Sequence, residues 1–373
     1  MKYYLEAGYS PEFITACALA AVPPRFRGDR NAVFVDIGAG YGLSSFFVER
    51  ILKSTAMAVE PGSWAELGAR ELGLNVHRAL FENLPADVLG SLSGKQVLLH
   101  LNSVVEHLVD PLAAIQSIMK TSKIDVLAAV VPDGASINMQ DPFIGHVGTL
   151  APGDHLHLPT IEGMRIFLGR LGFKHTAVKR AGALLIAVGA YEPVVLPDDS
   201  EIKAYTRQLL DKLVELPNTN VSAGARIRAL GIAVADGDVQ RQQQLIEGMP
   251  MLSDYLHSQL STFDELPYYL PMAAFFVGSY WLQSGDIHRA YNWFSIADTS
   301  SLHFQNLHPG YSAAATDFGW AARLFLAHAA ACLGNREEAR LCLEKVIDSQ
   351  HDLVRGAKSH FVKSAEEQLR QSF

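Results

Sequence analysis

Cysteine is scarce in this chain of 373 residues: Cys17, Cys332 and Cys342 stand far apart and form no metal-ligand spacing. They read as reduced, buried or idle thiols of a cytoplasmic protein. No Lys/Arg block occurs, and 39 acidic residues against 31 basic ones leave a formal charge of −8. The electrostatic footprint of a nucleic-acid binder is therefore missing, and no nucleic-acid partner is expected. No apolar run approaches the length of a membrane span, so no membrane partner is expected either. The apolar run from Phe13 to Val22 follows Lys2 in the manner of a signal peptide. Glu6 and Glu12 interrupt that pattern, no A-x-A site follows, and Pro23-Pro24 ends the run, which reads as an N-terminal helix. The dinucleotide fingerprint is missing too: counted from Gly38, the sixth position, where that pattern needs glycine, is Leu43.

What is present is an ordinary core-forming composition, 49% hydrophobic and 19% charged, over a length that favours two domains. The stretch Val33-Phe-Val-Asp-Ile-Gly-Ala-Gly-Tyr-Gly42 organises the first of them. Apolar residues around Asp36 read as a short buried strand, and Leu43 to Leu52 reads as a helix. Gly38, Gly40 and Gly42 make the crossing, where glycine permits positive φ and lets a ligand touch bare backbone. A strand, a Gly-rich turn and a helix N-terminus form a nucleotide-sized cradle in open α/β sheets. A second strand, Thr55-Ala-Met-Ala-Val-Glu60, ends in an acid 24 residues beyond Asp36. A βαβ unit places its ribose-reading carboxylate at about that distance.

The pattern Asp36-x-Gly38-x-Gly40-x-Gly42, with Glu60 following, resembles the first motifs of class I S-adenosylmethionine-dependent methyltransferases. The cofactor of that family carries a zwitterionic methionine end and a sulfonium cation in place of a pyrophosphate, which suits a carboxylate beside the glycines. The resemblance runs on through the first 190 residues. Asn75 to Pro85 matches a third strand and its exit, although Leu80 stands where the family often has Asp. The backbone at Leu80 and Phe81, with Glu82 as a substitute acid, is then expected to read the adenine. Gln96 to Leu101 is a fourth strand, and Asn102 and Ser103 at its end fall beside the expected sulfonium. Val-Val-Glu106-His107-Leu-Val-Asp-Pro111 resembles the Leu-Glu-His-Val-x-Asp-Pro segment of a large subgroup acting on small molecules and sugars. Glu106 and His107 are expected to open a helix, with His107 as a cap or packing residue. No Asn/Asp-Pro-Pro-Tyr/Phe and no Pro-Cys motif occurs, which disfavours methylation of nucleic-acid bases.

Ile124 to Val131 is a fifth strand, and a loop of about 25 residues follows Pro132, long enough to be functional. It carries Asn138, Asp141, His146, Asp154, His155 and His157. Asp154-His-Leu-His-Leu-Pro-Thr160 resembles the Glu/Asp-His-x-x-x-Phe-Thr segment before the last helix of the same subgroup. Helix Ile161–Leu171 and strands around Phe173–Val178 and Ala183–Val188 complete seven strands. His155-x-His157 on an extended segment would point both rings one way, and Asp133 and Asp141 offer oxygens. Magnesium, however, favours carboxylate and water over imidazole, and no adjacent Asp-Asn pair is present. A general base at His155 or His157 and local packing of the loop are the readings preferred, and no metal is assigned.

The Pro-bounded segment 192–199 reads as a linker between a methyltransferase domain (1–191) and an α-helical domain (200–373). Gly285-Asp-Ile-His-Arg-Ala290…Phe294…Ala297 repeats as Gly334-Asn-Arg-Glu-Glu-Ala339…Leu343…Val346, with a weaker copy from Gly237-Asp238. The pattern resembles tetratricopeptide-like helical hairpins, with a longer period than the standard one. The expected fold is thus α/β, a Rossmann-like seven-stranded methyltransferase sheet, plus an all-α repeat-like domain that contacts another subunit, a partner protein or the mouth of the active site. The expected activity is methyl transfer from S-adenosyl-L-methionine to a small-molecule or sugar hydroxyl, releasing S-adenosyl-L-homocysteine. The rival reading is a non-catalytic fold of the same kind, serving as a scaffold through its helices; a NAD-dependent enzyme is a weaker third.

Overall fold

Short apolar runs, buried on both faces, are what a parallel sheet asks of its strands, and the central strands here meet that condition. The structure, a computed structural model, describes residues 2–80, 83–137, 150–151, 153–217, 220–249, 252, 255, 266–305, 312–348 and 357–372. Its residues fall into two units, Ser10–Lys212 and Met1–Tyr9 together with Leu213–Phe373.

In the first unit, α1 (Pro11–Ala21) is capped by Ser10, whose hydroxyl accepts from the Phe13 N–H. Alternation of strand and helix follows: β1 (Ala32–Ile37), α2 (Leu43–Arg50), β2 (Thr55–Val59), α3 (Trp64–Leu72), β3 (Val76–His77), α4 (Ala86–Ser91) and β4 (Gln96–Asn102). Then come α5 (Pro111–Thr121), β5 (Ile124–Pro132), α6 (Ile161–Arg170), β6 (His175–Ala181) and β7 (Leu184–Ala190). Spatially the strands run β3-β2-β1-β4-β5-β7-β6. All neighbours from β3 to β5 are parallel, and β7 enters antiparallel between β5 and β6. This is the Rossmann-like seven-stranded sheet expected from the sequence. The chain winds outward from β1 to β3, then returns to place β4 on the other side of β1. Ligands in open α/β sheets bind at such a reversal, beyond the carboxyl ends of the strands.

Each face of the sheet has its own lining. Val33, Val35, Ile37, Val97, Leu99, Leu101, Leu127 and Ala129 pack with Ile115, Met164 and Leu168 from the helices of one side. The opposite face carries Phe34, Asp36 and His100 on the alternate positions. Helix α1 packs against β4, β5, β7 and α2, so it covers a sheet face and not an edge. Its residues Ile14 to Ala21 are all buried.

The first unit includes α7 (Asp199–Val214) up to Lys212, beyond the boundary read at 192–199. Arg27 explains the difference: it donates to Glu201 at 2.8 Å and lies over the Tyr205 ring, which in turn meets Phe47 edge-on. Residues Tyr4–Gly8, a turn of π-helix, belong instead with the second unit. There the Tyr268 N–H donates to Glu6 at 2.7 Å and Arg228 donates to the Ala7 carbonyl. Such tertiary ties leave no trace in local composition.

The second unit is helical among its described residues: α8 (Asn220–Asp236), α9 (Val239–Glu247), α10 (Leu270–Gln283), α11 (Ile287–Gln305), α12 (Ser312–Cys332), α13 (Arg336–Asp348) and α14 (Ala357–Ser372). Three hairpins use one turn. Gly237, Gly285 and Gly334 have φ of 70°, 82° and 86°, a left-handed conformation that ends the first helix. The next residue then caps the second helix, with Asp238, Asp286 and Asn335 accepting from the N–H groups of Arg241, Arg289 and Glu338. Ala290, Phe294 and Ala297, like Ala339, Leu343 and Val346, are buried, as the repeat requires. No described helix is long and apolar enough to cross a membrane.

Candidate active site

The glycine turn leaves β1 at its carboxyl end with Gly38, Gly40 and Gly42 at φ of 67°, 56° and 89°. The Gly38 and Ala39 N–H groups both donate to the Val59 carbonyl, which pins the turn to the end of β2. A methyl group on Gly38 would stand 2.5 Å from Val104 Cγ2, and one on Gly42 2.6 Å from Leu74 Cδ1. One on Gly40 would meet nothing within 4 Å, so this glycine borders open space. Gly68 lets α3 close on the turn from behind, since a Cβ there would fall 2.0 Å from the Tyr41 carbonyl oxygen.

Glu60, half-buried at the end of β2, bridges the two loops. Its Oε2 accepts from the Gly40 N–H at 2.9 Å and its Oε1 from the Gly62 N–H at 2.7 Å. A carboxylate oxygen has two lone pairs, so each Glu60 oxygen keeps capacity for a further donor. Helix α3 starts only at Trp64, so Glu60 holds the loop before it, and does not cap the helix.

Asp36 is placed differently. It is 1% exposed, with Oδ2 accepting from Ser45 Oγ at 2.9 Å and Oδ1 accepting from His100 Nδ1 at 2.8 Å. His100 is the directly opposed residue on β4, wholly buried and stacked on Phe34. Asp36 therefore supports the glycine turn from within the sheet. Burial, and then the nearby Asp36 carboxylate, push the Cys17 thiol well above its usual value, which leaves it inert. The sequence reading missed His100 and Ser45. The one signal was a lone polar residue at an inward position of the apolar run Gln96–Asn102.

At the end of β4, Asn102 is half-buried and Ser103 exposed. Ser103 has φ of 55°, a left-handed conformation uncommon for a residue with a Cβ, and its N–H donates to the Val130 carbonyl at 2.9 Å. Leu80 is 53% exposed, while Phe81 and Glu82 lie outside the described residues.

The next turn corrects the sequence reading. Val105–His107 is a single 3-10 turn, and the helix begins only at Pro111, capped by Asp110. Glu106 is thus no helix-end carboxylate. It is fully buried, and among the described residues neither of its oxygens has a hydrogen-bond partner in another residue. Burial raises its pKa, opposed by its own backbone N–H and by nearby His107 and His155. The Glu106 carbonyl accepts from the Leu156 N–H at 2.7 Å and the His157 N–H at 3.2 Å. That ties the Asp154–His157 segment to the exit of β4, while Gly134 N–H to Pro159 carbonyl ties its continuation to the exit of β5. His107 Nδ1 donates to the Asp154 carbonyl at 2.9 Å, and its ring meets that of His155 edge-on at 4.9 Å. His157 is exposed, and its Nε2 donates to the Leu108 carbonyl at 2.9 Å. One ligating atom each from Glu106, His107 and His155 lie within 4.8 Å of one another. Asp133 is not among them: it is buried against Arg180, whose Nε is 2.5 Å from Oδ2. Asn138, Asp141 and His146 lie outside the described residues.

No family model matches this sequence, and no curated protein does. Among solved structures, a Nostoc punctiforme protein provisionally assigned as an O-methyltransferase aligns at 18% identity and a TM-score of 0.35, over 51% of this chain. The alignment spans 59% of that protein, less than two thirds of its length. An Aquifex aeolicus SAM-dependent methyltransferase aligns at 15% identity and a TM-score of 0.32, over 49% of this chain and 98% of its own. Human methyltransferase-like protein 13, in complex with SAH, aligns at 18% identity and a TM-score of 0.32, over 56% of this chain and 93% of its own. The fold assigned here rests on the strand order and the glycine turn themselves.

Proposed function

We propose that the sheet unit is an S-adenosylmethionine-dependent methyltransferase acting on the hydroxyl of a small molecule or sugar. The observation that carries this reading is the Glu60 carboxylate held by the Gly40 N–H at the mouth of the glycine turn. That arrangement offers charged acceptors for two ribose hydroxyls beside bare backbone. In this reading Gly38, Gly40 and Gly42 form the cradle for the methionine end; Asp36, expected from the sequence to touch the cofactor, is buried with both oxygens bonded and fixes the turn from behind. Asn102 and Ser103 flank the sulfonium, and the backbone near Leu80 and Phe81, with Glu82, takes the adenine. The acceptor oxygen attacks the methyl carbon in line, the carbon–sulfur bond breaks with its electron pair going to sulfur, and S-adenosylhomocysteine leaves. The hydroxyl proton passes to His155 or His157. Holding oxygen and methyl in line is the main source of rate, worth several kcal/mol as effective molarity.

Titration calorimetry tests this directly. S-adenosylmethionine and S-adenosylhomocysteine should both bind, and Glu60→Ala should weaken both by about tenfold or more, as a lost charged hydrogen-bond pair implies. Binding of NADH with no response to S-adenosylhomocysteine would overturn the assignment. The three helical hairpins favour a second reading for the rest of the chain, a tetratricopeptide-like docking surface for a partner protein or a second copy. If neither S-adenosyl compound binds, docking becomes the working role of the whole chain.

A further inference from the structure

The Glu106 carboxylate presents a physical problem. A buried carboxylate normally collects hydrogen bonds or an ion pair, because leaving it bare costs several kcal/mol. Among the described residues Glu106 has neither in another residue, although its main chain is well tied and the 3-10 turn around it is fixed. What faces it is a pair of imidazoles, His107 from the same turn and His155 from the loop hydrogen-bonded to that turn.

The imidazole on His107 is already oriented. Its Nδ1–H is spent on the Asp154 carbonyl, which leaves Nε2 as the nitrogen with a lone pair. A ring fixed through one nitrogen by a backbone carbonyl, with the other nitrogen left to ligate, is the usual outer-shell arrangement of a metal-binding histidine. Two imidazoles with one carboxylate match three-ligand catalytic sites for zinc and suit manganese, whereas magnesium and calcium favour all-oxygen sets. Donors about 2.1 Å from a tetrahedral ion stand roughly 3.4 Å apart. Gathering atoms now within 4.8 Å therefore needs side-chain shifts of little more than an ångström.

We propose that Glu106, His107 and His155 bind one divalent transition cation, zinc or manganese, at the carboxyl end of β4. The place is significant. Val104, two residues before Glu106, is the residue that touches Gly38 of the glycine turn, so the cation lies one turn of chain from the cradle. Three protein ligands leave positions for outside oxygens, which an acceptor hydroxyl would fill. This rests on the proposed methyl transfer only for the use made of the site; it replaces the base reading for His155 and leaves that reading to His157.

The test uses the full chain, stripped with a chelator and titrated separately with zinc, manganese, magnesium and calcium chlorides. Zinc or manganese should bind once per chain, with magnesium and calcium failing to compete. Glu106→Gln, His107→Ala and His155→Ala should each weaken binding by more than ~10-fold, since even outer-shell changes reach that size. His175→Ala, on an exposed residue at the start of β6, should bind as wild type. Circular dichroism checks each fold; His155 is only half-buried, so its variant decides the matter if Glu106→Gln unfolds. Absence of saturable binding in the wild type overturns the site, and so does wild-type binding by a folded His155→Ala. S-adenosylhomocysteine titrated into the same samples separates the two readings. Its binding without cation binding leaves the methyltransferase standing and removes the metal, and the opposite outcome does the reverse.

Discussion

Two buried carboxylates stand toward the carboxyl ends of neighbouring strands of one sheet and are treated in opposite ways. Asp36, on β1, is fully satisfied: Ser45 and His100 each donate to one of its oxygens. Glu106, just past β4, is equally buried and lacks any such donor from another of the described residues. The contrast separates structural from functional charge. A carboxylate with all its bonds made inside the fold fixes geometry and has little left to give a ligand. One left without bonds costs stability, and a water, an ion or a ligand is what would complete it. The β1/β4 reversal thus has a settled side, where Glu60 and the glycine turn are hydrogen-bonded in place, and an unsettled side around Glu106.

The largest expected effect breaks the settled side. Asp36→Ala strips acceptors from two buried donors at once, each worth about 1–3 kcal/mol when left unpaired. A loss of roughly 3 kcal/mol or more is expected in urea unfolding. An unchanged unfolding midpoint would show that the Asp36–His100–Ser45 network has no structural weight. The mirror experiment is Glu106→Leu, assayed with chelator present. Replacing a bare buried charge by an apolar group of similar size is commonly neutral or stabilising, so a gain of up to ~1–2 kcal/mol is expected. If Glu106→Leu instead costs as much as Asp36→Ala, Glu106 has an internal partner after all and the contrast collapses.

Which of these features could be read in advance follows from how local their causes are. Five strands (β1, β2, β4, β5 and β7) were legible because each is a short apolar run between glycine, proline or polar breaks, and β5 from Ile124 to Pro132 is buried throughout; β3 (Val76–His77) and β6 (His175–Ala181) carry no such run. The helical hairpins were legible because a glycine and a capping residue at fixed spacing form a local device. Asp36, the glycines and Glu60 were found by spacing, yet the burial of Asp36 was not, since it depends on His100 arriving from a strand 64 residues away. Glu106 was misread for the same reason. In the sequence it precedes an apolar helical run and a proline, which resembles a helix start; only the fold shows a 3-10 turn sealed by the loop around Leu156. The tie of α7 to the sheet unit through Arg27 and Glu201 is likewise non-local.

Ser103 offers the smallest and sharpest test, because it follows the end of β4 and precedes the turn that carries Glu106. Its φ of 55° costs about 1–2 kcal/mol for a residue with a Cβ. Glycine removes that strain but adds unfolded-state entropy worth roughly 0.5–1 kcal/mol. The balance favours Ser103→Gly by up to ~1.5 kcal/mol, a small rise in melting temperature readable by differential scanning calorimetry. If the strained serine is there to hold the β4 exit against the nucleotide, the same variant should bind S-adenosylhomocysteine more weakly by a few fold while gaining stability. Opposite signs for stability and affinity are the signature of strain kept for a site. A variant that loses both would mean that the Ser103 side chain packs, and that the strain serves the fold alone.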